Sequence, residues 1–184
     1  VDNLNIANSA GTNGSHTLGS GESISTGNET IGNSGTGTFT QTGGTNTVSN
    51  DLNIGNNSGS SGTYNLSAGT NTVSNSLVLG FSSGSNGTFN LSGTGNLDSS
   101  YVFVGREDTG IFTQTGGTHS VSNDLNIGIN SGSSGTYNLS SGTNSVSNNL
   151  NIGIQSGSSG TYNLSGGTNT VSNSLVLGFS SGSN

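Results

Sequence analysis

A 25-residue stretch, Val48 to Thr72 (VSNDLNIGNNSGSSGTYNLSAGTNT), is copied with small changes along most of this chain. VSNSLVLGFSSGSNGTFNLSGTGN follows at once, and VSNDLNIGINSGSSGTYNLSSGTNS returns from Val121. Unit starts fall at Ile24, Val48, Val73, Leu97, Val121, Val146 and Val171, a spacing of 24 or 25 residues. A fixed period of that size marks an array in which each unit buries its apolar face against its neighbours.

Within a unit, Val48, Leu52 and Ile54 share one parity while Ser49, Asp51 and Asn53 share the other. That alternation is the mark of a half-buried strand. Gly55 ends the run, Asn56 to Gly62 is rich in turn residues, and Tyr64 and Leu66 resume the alternation. No segment has a helical period. Parallel strands need crossovers, and without helices the crossover must itself be strand and turn. The sequence therefore predicts an all-β fold, a parallel β-solenoid (β-helix) of 24–25-residue coils over residues 1–184. It would hold roughly seven and a half coils and run about 35 Å at the usual strand spacing.

Stacking the units predicts continuous columns. One is aromatic: His16, Phe39, Tyr64, Phe89, Phe112, Tyr137 and Tyr162. Beside it run Leu18, Gln41, Leu66, Leu91, Gln114, Leu139 and Leu164, and a third column joins Ile6, Ile31, Ile54, Leu79, Val104, Ile127, Ile152 and Leu177. Asn50, Asn75, Asn123, Asn148 and Asn173 form a fourth, with the parity of the buried side, and read as an amide ladder at a corner. Phe39 to Thr45 recurs as Phe112 to Thr118, a larger repeat of three coils that the coil of Val171 breaks. In the coils of Ile24 and Leu97 the first strand gains a residue and the next loop loses two, which reads as a bulge.

Composition closes off several functions. One Arg, no Lys and a net charge of -7 leave nothing to grip phosphates, so nucleic-acid binding is excluded. No apolar run approaches the ~20 residues that a membrane-spanning helix needs. Cysteine is absent, and His16 and His119 do not share a phase from which to hold a metal. His119 stands where other units have Asn46, Asn71, Asn144 and Asn169, and reads as variation in that column. The acids Asp2, Glu22, Glu29, Asp51, Asp98, Glu107, Asp108 and Asp124 read as a solvated polar face, and Arg106-Glu107-Asp108 as a solvated turn. No cofactor, catalytic set or dedicated calcium ladder is expected; incidental calcium near Asp51 or Asp124 stays open.

One outward pattern is less bland. Thr45, Thr70, Thr94, Thr118, Thr143 and Thr168 precede the unit starts by three residues, and Thr47, Thr72, Ser120, Ser145 and Thr170 precede them by one. This Thr-x-Thr array resembles the hydroxyl-and-methyl faces of ice-binding solenoids, although Asn96 and Gly21 interrupt it.

The run G-S-S-G-T-Y-N-L-S-x-G-T-N-x-V-S-N-x-L-x-I-G, carried by Gly59 to Gly80, Gly132 to Gly153 and Gly157 to Gly178, resembles the repeats associated with type V secretion autotransporter passengers and PEP-CTERM surface proteins. That resemblance implies an extracellular or bacterial cell-surface β-solenoid. The expectation is a non-enzymatic structural protein of a fibre, sheath or matrix, a segment of a longer repetitive chain or a filament subunit. Its partner would be itself, head to tail and laterally. The second expectation is an adhesin or passenger stalk whose Thr array binds glycan or ice.

Overall fold

The computed structural model describes residues 1–180 and contains strands and turns but no helix. The first strands are β1 (Asn3–Ile6), β2 (Asn13–Leu18), β3 (Ser23–Thr26), β4 (Asn28–Ile31), β5 (Thr36–Val48), β6 (Leu52–Ile54), β7 (Ser61–Leu79) and β8 (Asn86–Leu91). They continue as β9 (Asn96–Val104), β10 (Thr109–Val121), β11 (Leu125–Ile127), β12 (Ser134–Val146), β13 (Leu150–Ile152), β14 (Ser159–Leu164), β15 (Thr168–Val171) and β16 (Leu175–Leu177). All sixteen belong to one sheet, and each pairs in parallel with a strand one coil away. The protein is a parallel β-solenoid.

The expected aromatic and aliphatic columns are the observed register. Phe39 pairs with Tyr64, Tyr64 with Phe89, Phe89 with Phe112, Phe112 with Tyr137 and Tyr137 with Tyr162. Ile6, Ile31, Ile54, Leu79, Val104, Ile127, Ile152 and Leu177 likewise follow one another. Alternation drives the assembly: inward side chains of all coils meet in one apolar core, and the backbone satisfies its own polar groups along the axis.

Two coils depart from the expected alignment. Val48, Val73, Val121, Val146 and Val171 share a column, but its other members are Thr26 and Ser99. Ile24 pairs with Asn46, and Leu97 with Asn71 and His119. The spacing between partners consequently runs from 22 residues (Ile24 to Asn46) to 26 (Asn71 to Leu97). No residue is added to the strand: the corner before it lengthens by one, from the step Gln41–Thr45 to Leu91–Asn96, and the corner after it shortens by one. A slip of two keeps the same face inward, so apolar parity alone does not reveal it.

Gly62 shows why some corners admit only glycine. A Cβ there would stand 2.1 Å from the Ile31 carbonyl oxygen and 2.5 Å from the Gly55 nitrogen, both backbone. Gly55 itself has φ of +70°, a conformation that side chains disfavour.

Candidate functional site

The core carries a stack of rings. From Phe39 through Tyr64, Phe89, Phe112 and Tyr137 to Tyr162, centroids lie 4.5–5.0 Å apart and planes within 16° of parallel. Strand spacing imposes this face-to-face arrangement, because each ring stands on the same register position as the next. His16 begins the column less regularly, tilted 49° from Phe39.

Two polar networks interrupt that apolar interior. In the first, the Tyr64 hydroxyl donates to Gln41 Oε1 (2.6 Å) and accepts from Asn46 Nδ2 (3.2 Å), which also reaches Glu29 Oε2 (2.7 Å). Gln41 Nε2 donates to the carbonyls of Thr70 (3.0 Å) and Gly44 (3.3 Å). Glu29 is fully buried in the column of Leu52, which corrects its reading as a solvated acid. Desolvation pushes its carboxyl up to about 7, against the opposing pull of the Asn46 bond. The same burial, with the Glu29 charge beside it, raises the Tyr64 phenol well above its ordinary value.

The second network repeats the first one three coils on. The Tyr137 hydroxyl donates to Gln114 Oε1 (2.7 Å), and Gln114 Nε2 donates to the Thr143 carbonyl (2.9 Å). His119 replaces the asparagine, fully buried and stacked 4.8 Å from Phe112. Because the Tyr137 proton is committed to Gln114, His119 Nδ1 is the protonated nitrogen and donates to the Tyr137 oxygen (3.0 Å). Nε2 then accepts from the Ser99 hydroxyl at 3.3 Å. Desolvation lowers the imidazole to about 3. His119 is thus a neutral core hydrogen-bonding residue, where the sequence suggested mere column variation. Sequence signals for both groups existed: Glu29 falls in step with Leu4 and Leu52, and His119 in step with asparagines on the inward face.

The Asn50, Asn75, Asn123, Asn148 and Asn173 column does occupy a corner, but it lies at or near the surface, contrary to the buried parity assigned to it. The corner turns the side chains outward after Val48. Asn173 Nδ2 reaches Asn148 Oδ1 at 3.0 Å, whereas Asn75 and Asn148 donate to Asp51 and Asp124 (2.7 and 2.9 Å). Both carboxylates also accept backbone N–H groups, from Ser76 and Asn149. Direct amide ladders stand elsewhere, in Asn65–Asn90, Asn138–Asn163 and Asn126–Asn151.

The hydroxyl array faces outward. Thr45, Thr118, Thr143, Thr168 and Thr170 are exposed, and Thr47, Thr70 and Thr72 half-buried. Its register differs from expectation at the slipped coils. Asn96, not Thr94, stands between Thr70 and Thr118, and Asp98 between Thr72 and Ser120. Ser23 and Ser25, not Gly21, precede Thr45 and Thr47. Around Asp98 the surface sinks into a groove of about 260 Å³ lined by Thr72, Ser74, Ser100, Ser120 and Ser122. Among the described residues, no three His, Asp or Glu side chains come together as a metal site would require.

Comparison with protein-family models, with curated proteins and with solved structures returns no match. The class is set by geometry: an all-parallel β-solenoid repeat protein.

Proposed function

We propose that this chain is a non-enzymatic structural rod of an extracellular or bacterial cell-surface fibre, sheath or matrix, self-associating along its axis and side by side. The observation that carries this reading is the continuous parallel strand pairing from β1 to β16, with rings, aliphatic columns and amide ladders repeating on it. Such a body resists bending and local unfolding, since opening one coil strips two neighbours of their hydrogen bonds. The repeats' resemblance to autotransporter and PEP-CTERM-associated sequences supports a surface location. Whichever coil meets β16 or β1, in this chain or in another copy, finds the same columns and strand spacing.

Electron microscopy of the purified protein at neutral pH tests this. Long filaments with a meridional repeat near ~4.8 Å are expected. Discrete short rods at all concentrations would refute self-association. The groove at Asp98 favours a second reading, an adhesin or stalk with a hydroxyl-lined ligand surface for glycan or ice. Bulky replacements at Thr70 and Thr72 would then abolish binding and spare assembly.

A further inference from the structure

Arg106 is the only Arg or Lys in a chain of net charge -7. Its Cζ stands 4.7 Å from the centroid of Phe81 and 5.9 Å from that of Phe103. Among the described residues the guanidinium has no hydrogen-bond or ion-pair partner. The two acids that follow it are engaged elsewhere. Glu107 accepts from Asn130, and Asp108 accepts from the Gly84 N–H (2.7 Å) and the Thr109 hydroxyl (3.0 Å). The rings beneath the guanidinium stand outside the solenoid core. Phe103 projects outward from β9 beside Val78, its register partner on β7, and Phe81 follows the glycine corner that ends β7. Val78, beside Phe103, is only 1% exposed on what is otherwise the polar outer face. The same outward position is Asn53 in the coil before and Asn126 in the coil after.

We infer that Phe81, Phe103 and Arg106 form a binding site for a carboxylate-bearing saccharide, such as a uronic-acid residue of an acidic polysaccharide. A guanidinium with free donors takes a carboxylate bidentately, and the half-exposed flanks of the two phenyl rings that it covers give the C–H groups of a pyranose ring an apolar wall beside the charge. A single cation suits one carboxylate, whereas a polyphosphate or an anionic membrane requires several. Addition of a peptide strand is disfavoured, because the local backbone is already spent: Phe81, Arg106 and Glu107 donate their N–H groups to Gly55, Leu79 and Gly80. The site lies on a different strand face from the Thr array and does not depend on the rod function.

Since the chain has one arginine, its Nε–H gives a single side-chain signal in a ¹H–¹⁵N spectrum without assignment. Titrating the protein with tetragalacturonate should move that signal saturably, together with the Phe81 and Phe103 ring resonances. Neutral maltotetraose should leave Nε–H in place, and sodium acetate at matched carboxylate concentration should move it far less. Arg106→Gln, with an unchanged melting curve, should weaken binding about tenfold or more, as loss of charged hydrogen bonds implies. Phe103→Leu should weaken it while keeping the charge. Absence of a saturable Nε–H shift, an equal response to acetate, or undiminished affinity of Arg106→Gln would overturn the assignment.

Discussion

Replacing Glu29 by glutamine isolates the one carboxyl that, among the described residues, the solenoid takes fully out of water. Its pKa rises from 4.5 to about 7 on folding, so the folded state keeps a proton that the unfolded chain has lost. Between those values the native state binds more protons, and stability falls as pH rises. The full difference of about 2.5 pH units is worth about 3 kcal/mol at about 1.36 kcal/mol per unit. His119 works in the opposite sense. Its pKa drops from 6.5 to about 3, so stability is lost as pH falls through that interval, when the unfolded imidazole takes up a proton that the native one refuses. In the overlap, from 4.5 to 6.5, the two slopes oppose each other, and the wild-type melting temperature should change little. Glu29→Gln keeps the shape and the Asn46 contact but has no proton to lose. Relative to wild type it should gain about 3 kcal/mol between pH 4.5 and pH 8, or about 10 °C in a chain of this size. Thermal melts followed by circular dichroism, wild type and variant in parallel across that range, measure this directly. A difference between the two that stays constant with pH would show that Glu29 titrates normally and that its burial does not govern its charge.

The companion variant, His119→Asn, restores the residue found at Asn46 and Asn144 and should remove the acid-side loss. Its stability below pH 6 should then rise relative to wild type in the same melts. Gly62→Ala should be among the most damaging single substitutions, costing about 3 kcal/mol or more, because its methyl would strike backbone on two sides. Chemical denaturation reads that loss, and a cost below about 0.5 kcal/mol would contradict the packing described for this corner.

The columns were legible because they are made of like residues at a near-constant interval. Phe39, Tyr64 and Phe89 announce a shared position, as do Ile31 and Ile54. Glu29 and His119 were harder to place, since a charged or imidazole side chain signals solvent by type while only its phase signals burial. Ile24 and Leu97 misled for the opposite reason. They are apolar and inward, as a unit start should be, but a two-residue slip moved them onto the asparagine column without changing their face. The Arg106 site was illegible because it joins residues 25 positions apart, Phe81 and Arg106, whose types do not repeat in neighbouring coils. Hydrophobic periodicity carries no information about an outward contact of that kind.

The identical 25-residue steps from Val121 to Val146 and from Val146 to Val171 have a genetic consequence. Unequal recombination between such copies inserts or deletes a whole coil, and everything beyond the junction moves about 4.8 Å along the axis with its lateral neighbours unchanged. The gene's length can therefore drift without passing through a misfolded intermediate. The coil of Val146, which lies between two coils that are consecutive at Val48 and Val73, has the form that one such event would leave behind.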